Sequence, residues 1–317
     1  MIARELLTLP PFALEVEQGL TGSPKSLPPK LFYDERGSEL FEEITRLPEY
    51  YLTRTELAIL RDHSRDILSS AGQGLSIVEL GAGTAAKTTT LLNALSAMQL
   101  RVDYFPVDIS RTALADARKR LEAECGQVKV HPVVADFSEG FEFLGDMPGP
   151  KLVLYLGSSI GNFDPEEAVS MLRQVREQLS DSDRILLGTD MVKARSVLVP
   201  AYDDSMGVTA EFNRNILYRI NRDFDGDLDP ESFAHIAVWN REASRMEMHL
   251  ESIRAQTARL RLLNLTIRFR ARERIHTENS HKYTLPMVER MLSRAGLSLN
   301  RTWMDECKWF GLHLASL

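Results

Sequence analysis

Between residues 75 and 192 short apolar runs alternate with segments of helical spacing, and this rhythm constrains the fold more than any other feature of the chain. LSIVEL (75 to 80), VDYFPVDIS (102 to 110), VKVHPVVADF (128 to 137), KLVLYLGSSIGNF (151 to 163) and RILLGTDMV (184 to 192) read as five strands. TAAKTTTLLNALSAM, RTALADARKRLEAE and DPEEAVSMLRQVREQL read as helices, the second with Ser110 as N-cap and the third with Asp164 as N-cap and Pro165 as its first residue. Several strands are apolar throughout instead of alternating, so they need cover on both faces. The expectation is an α/β fold with a parallel-rich, doubly wound sheet.

After Val192 the rhythm changes. Residues 193 to about 233 read as mostly helical, and from Ser244 to Tyr283 apolar and charged residues alternate, as in MEMHL and in LTIRFRARERI, each read as amphipathic strand. The closing LPMVERMLSRAGLSLNRTWMDECKWFGLHLASL reads as a helix ended by Gly296 and two strands suited to the edge of the first sheet. An α/β domain over 56–192 and 283–317 is therefore expected, interrupted by an α+β domain of 1–55 and 193–282. The N-terminal part holds the aromatics Phe32, Tyr33, Phe41, Tyr50 and Tyr51, a set suited to covering a cleft.

Charge and cysteine content narrow the function classes. With 38 basic against 45 acidic residues, a net charge of -7 and no long Lys or Arg run, a nucleic-acid partner is not expected. Cys125 and Cys307 form no C-x-x-C pair, which sets aside a disulfide scaffold or a Cys-rich zinc site and fits a reducing, cytoplasmic setting. Glu5, Pro10, Pro11 and Glu15 interrupt any apolar signal segment, and no apolar run approaches the roughly 18 residues of a membrane span, so a soluble chain is expected.

The sharpest motif is VELGAGTAAKT (78 to 88), a G-x-G-x-x-A turn with Gly81, Gly83 and Ala86. Glycines there let a ligand lie against the backbone. A dinucleotide would place its pyrophosphate on the following helix and its ribose on an acid. S-adenosylmethionine has no phosphate and needs a carboxylate for the ribose after the second strand and a polar group near the adenine after the third. Asp108 and Asp136 stand at those two strand ends, with Glu79 just before the glycines. Either Asp alone is equally a helix cap. Together they favour S-adenosylmethionine over NAD, with Lys87 available for the methionine carboxylate.

Taken together, KSLPPKLFYDERGSELFEEITRLPEYYLTRTE, VELGAGTAAKT, LGSSIGNF, LLGTDMVK, AYDDSMGVTAEFNRN and TENSHKY resemble the histidine Nα-methyltransferases of ergothioneine biosynthesis over nearly the whole chain. The resemblance implies a Rossmann-like class I methyltransferase domain with an inserted substrate-binding domain. It implies trimethylation of the α-amine of free L-histidine to hercynine, with S-adenosyl-L-homocysteine as coproduct. The family's cofactor contacts fall on Tyr33, Gly81, Lys87, Asp108, Asp136 and Phe137; its substrate contacts fall on Tyr50, Gly157, Asn162, Tyr202, Met248, Glu278 and Ser280. Gly157 and Asn162 are the groups expected to orient the reacting amine. The departures are mild: Gly-Ala-Gly stands where Gly-Ser-Gly is also common, and Leu52 follows the tyrosine pair where Pro is frequent.

The pairing of Met248 with Glu278 looks like the histidine-selective pattern. If 276 to 282 is extended, His276, Glu278, Ser280 and Lys282 share one face. Action on another aromatic amino acid, or an NAD-dependent oxidoreductase built on the glycine turn, are the alternatives. A monomer acting on a small molecule, with no metal, no nucleic acid and no membrane, is expected. His276 and His281 lack metal-site spacing, and FDGDLDPE (224 to 231) reads as a capped turn instead of a calcium loop.

Overall fold

The structure is a computed structural model that describes residues 10, 12–137 and 140–317. Glu5 and Pro11, two of the residues read against a leader, lie outside the described residues. The chain divides into two compact units, Met1–Tyr51 with Lys193–Ser280, and Leu52–Val192 with His281–Leu317.

The second of these is built on an eight-stranded sheet in the order Ser298–Met304, Phe310–Ser316, Arg184–Asp190, Lys151–Tyr155, Ser76–Leu80, Val102–Asp108, Val128–Val130, with Val133–Val134 also on Val102–Asp108. The strands from the alternating region pair in parallel. Phe310–Ser316 runs antiparallel between Arg184–Asp190 and Ser298–Met304. Ser76–Leu80 and Lys151–Tyr155 are buried along their whole length, as strands covered on both faces must be. Alternate side chains then feed two cores: Ile77, Leu152 and Leu186 meet Leu60, Leu91 and Leu121 on one face. Val78, Val153 and Ile185 meet Ile160, Leu172 and Val288 on the other.

Local signals set the helix ends. Ser110 Oγ accepts the Ala113 N–H at 3.2 Å at the start of Arg111–Glu124. Asp164 and Glu167 form a capping box on Pro165–Glu177, with Pro165 at the first position. Two expectations for this unit need correction. Pro132, which has no N–H for a ladder, divides the third strand into Val128–Val130 and Val133–Val134. The helix after the glycine turn starts only at Thr89 and ends at Ser96, because Gly81, Gly83 and Ala85 all adopt positive φ and cannot join it.

The other unit has a four-stranded sheet in the order Lys25–Ser26, Arg274–His281, Arg245–Ser252, Phe233–Asn240, and a hairpin of Gln256–Leu260 with Leu265–Phe269. Helix Val208–Phe224 buries Phe212, Ile216 and Ile220. Asp34 caps Glu35–Ile44 through the Gly37 N–H at 2.8 Å, and the same carboxylate accepts from Asn215 at 2.7 Å and Arg222 at 2.8 Å. It thereby ties two helices together. LTIRFRARERI is not one strand: a turn over 270–273, with Arg272 at φ +65°, separates Leu265–Phe269 from Arg274–His281. The alternation of charge runs on through that turn, so periodicity alone conceals it. FAHIAVWN does not alternate, and the strand Phe233–Asn240 goes unannounced in the sequence.

Candidate functional site

In the Leu52–Val192 unit, the strand Ser76–Leu80 ends in a turn in which Gly81, at φ +70°, donates its N–H to the Val107 carbonyl at 2.9 Å. Gly83, at φ +51°, donates to Asp108 Oδ2 at 2.9 Å, and Ser110 N–H donates to Asp108 Oδ1 at 2.9 Å. One backbone N–H on each oxygen fixes the carboxylate and leaves lone pairs for a ligand. Capping of the next helix falls to Ser110, so Asp108 is not merely a cap.

A Cβ added to Gly81 or Gly83 would meet nothing within 4 Å, so the glycines are required by their backbone angles and the space beside the turn is open. The late start of the helix at Thr89 sets its N-terminus away from the glycines. That arrangement fits a nucleoside held by its ribose hydroxyls better than a pyrophosphate seated on a helix end. Asp136 and Phe137 follow the short strand Val133–Val134 and are half-buried. The Phe137 ring stacks on Phe141 at 5.5 Å. These features fit S-adenosylmethionine.

Lys87 is neither helical nor simply solvated. Its ammonium lies 2.6 Å from Oε2 of Glu56, a carboxylate with no solvent exposure, whose Oε1 accepts the Gly157 N–H at 2.7 Å. Gly157 sits at φ +78°, and a Cβ on it would stand 3.1 Å from Lys87 Nζ. Ser158, itself left-handed at φ +61°, accepts the Asp190 N–H on its hydroxyl at 2.8 Å. Asn162 ends the single turn Ser159–Asn162 and is half-buried. Two residues before Gly81, Glu79 is buried under the Tyr104 hydroxyl, which donates to it. Burial pushes its pKa up to about 7.

The remaining predicted residues lie in the other unit. Tyr202, at 6% exposure, shares a hydrogen bond with Ser280 at 2.8 Å, and its carbonyl lies 2.8 Å from His235 Nε2. Met248 is on the buried face of Arg245–Ser252, and its carbonyl accepts from the Thr277 hydroxyl at 3.0 Å, next to Glu278. Burial alternates over 274–278 and then becomes continuous at Ser280, His281 and Lys282, so the two-residue period does not carry a single exposed face to Lys282. Tyr33 and Tyr50 both set their rings edge-on to Phe41, at 5.8 and 6.2 Å. Phe212 from helix Val208–Phe224 completes that cluster. The structure thus places Tyr202 on Ser280 and both tyrosines on Phe41.

Two charged pairings escaped the sequence reading, that of Glu56 with Lys87 and that of Lys282 with Asp190. Glu56 lies on the apolar stripe of Leu52, Ile59 and Leu60 in helix Tyr51–Ala71, and that helical position was a legible sign of a buried acid. Lys282 and Asp190 form a wholly buried pair at 2.8 Å. Asp190 closes the apolar run RILLGTD, but nothing in the sequence joins it to a lysine 92 positions away.

Comparison with known proteins adds a family. A sequence model described as a histidine-specific, S-adenosylmethionine-dependent methyltransferase matches residues 12–317. The histidine N-alpha-methyltransferase of Mycolicibacterium smegmatis is 44% identical over 95% of this chain and 93% of its own length. That of Mycobacterium tuberculosis is 43% identical over 95% and 94%. Ergothioneine biosynthesis protein 1 of Neurospora crassa is 33% identical over 92% of this chain, which spans 33% of that longer protein.

Proposed function

The chain belongs to the histidine-specific, S-adenosylmethionine-dependent methyltransferases, and from that membership we propose that it trimethylates the α-amine of free L-histidine to hercynine, as a first step towards ergothioneine. The observation that carries this reading is the 44% identity to a histidine N-alpha-methyltransferase across nearly the full length of both chains.

S-adenosylmethionine supplies a methyl group already activated by a sulfonium charge. The protein's own work is then binding and alignment. Asp108 accepts from the ribose hydroxyls, Asp136 and Phe137 flank the adenine, and Gly81, Lys87 and Tyr33 serve the rest of the cofactor. Glu278 accepts the imidazole N–H, while Ser280, oriented by Tyr202, holds the amino-acid portion; Tyr50 and Met248 shape its surroundings. The Gly157 carbonyl and the Asn162 side chain orient the amine. None of these groups is obliged to count N–H donors on the amine. Successive methylations therefore need no rebuilding of the site. Nearby aromatic rings favour the growing ammonium by cation–π attraction, worth about 1 kcal/mol.

This reading assigns the cofactor's ribose and adenine to residues of the sheet unit. It also includes a monomeric, cytoplasmic enzyme, in keeping with the free thiols Cys125 and Cys307. Among the described residues no helix is long and apolar enough to cross a membrane.

Mass spectrometry of histidine incubated with the protein and methyl-labelled S-adenosylmethionine tests the proposal. Three labels on the α-nitrogen are expected. Ring methylation, or methylation of histidine only within peptides, refutes it.

A further inference from the structure

Glu56 is a fully buried acid whose two oxygens are both committed, one to Lys87 and one to the Gly157 N–H. The surroundings are cut to fit it. A Cβ on Gly188, in the strand Arg184–Asp190, would stand 2.5 Å from Glu56 Oε1, so this strand carries glycine where the acid enters. Lys87, by contrast, keeps 27% side-chain exposure and can still offer donors to a ligand. A buried carboxylate is costly unless its charge is matched, and here one ammonium and one backbone N–H match it.

We propose that Glu56 is a positioning residue: it holds the Lys87 ammonium beside Gly157 and cancels its charge, so that the cofactor's sulfonium and the incoming amine do not face an uncompensated cation. This rests on the assignment of Lys87 and Gly157 to the S-adenosylmethionine and amine subsites. Lys87 is kept in place to donate hydrogen bonds while its net field is removed. An isolated lysine at that position would bind a carboxylate more strongly but would repel a positively charged reactant.

The test compares two ligands that share every group except one methyl and one positive charge. Calorimetry gives the dissociation constants of S-adenosylmethionine and S-adenosylhomocysteine for wild type, Glu56→Gln, Lys87→Met and the double variant. Glu56→Gln retains an acceptor for Gly157 but loses the anion, and it should weaken the sulfonium more than the thioether, moving their affinity ratio on the order of fivefold. Lys87→Met, which leaves the anion unmatched, should move the ratio the opposite way. In the double variant, where neither charge remains buried alone, the ratio should return towards wild type even though both ligands bind less tightly. A merely structural role for Glu56 weakens both ligands by one common factor, and a ratio constant across these proteins overturns the proposal. Should Glu56→Gln fail to fold, Lys87→Met and the double variant still decide between the two outcomes. If wild type binds neither ligand, the cofactor reading fails as well; a constant ratio with tight wild-type binding removes Glu56 alone.

Discussion

Replacing Glu79 by Gln should abolish a specific dependence of stability on pH. The Glu79 carboxyl is buried immediately before the glycine turn, and desolvation raises its pKa from 4.5 to about 7. The protonated carboxyl's contribution to stability is therefore fully present below the unfolded-state value of 4.5 and is lost as pH rises through about 7. At about 1.4 kcal/mol per pKa unit, the full loss is about 3 to 4 kcal/mol, most of it falling between those two values. Gln has the same shape, does not titrate, and still offers an oxygen to the Tyr104 hydroxyl. Its stability relative to wild type should therefore increase by about 2 kcal/mol between roughly pH 5.5 and 7.5. Urea unfolding of both proteins at several pH values, extrapolated to water, measures this difference directly, since all other titrating groups are common to both. A difference that stays constant with pH would refute a buried, proton-holding Glu79.

Asp108→Ala should weaken adenosylhomocysteine by about 10- to 100-fold in calorimetry, since the ribose loses a charged acceptor and Gly83 loses its partner; unchanged affinity removes Asp108 from the site. Glu278→Ala should cost histidine about 2 kcal/mol in kcat/KM, on the order of 30-fold, and leave adenosylhomocysteine affinity intact. It should also narrow the preference for histidine over tryptophan, further with Met248→Val; steady-state kinetics showing an unchanged ratio rules this role out. Lys282→Met leaves the buried Asp190 without its ammonium and should destabilise the protein by about 3 to 5 kcal/mol, whereas adding Asp190→Leu should recover much of the loss in urea unfolding. Equal destabilisation by the single and double variants would contradict that account.

Sequence carried the site furthest where chemistry and backbone geometry act locally. The glycine turn is legible because only certain residues accept positive φ readily, and Asp108 because a strand end and an acid coincide. Asp164 with Pro165 announced its helix for the same kind of reason. The family segments named the remaining candidates. Local rules failed where a break leaves the pattern intact. The turn at 270–273 interrupts a run whose alternating charges continue across it, and the strand Phe233–Asn240 has no period of its own.

The parallel sheet, the position of the glycine turn, the strand-end acids and, through six distinctive segments, the family were all legible along the chain. These depend on periods, caps and residue types that lie next to one another in the chain. That Lys87 answers to Glu56, that Glu56 also holds Gly157 101 positions away, and that Lys282 meets Asp190 emerged with the folded chain. Buried charges must find partners wherever folding places them, and the cost of leaving one unmatched is set by the surrounding dielectric, not by distance along the chain. A helical stripe shows that Glu56 is buried; the identity of the groups that make its burial tolerable is a property of the folded protein alone.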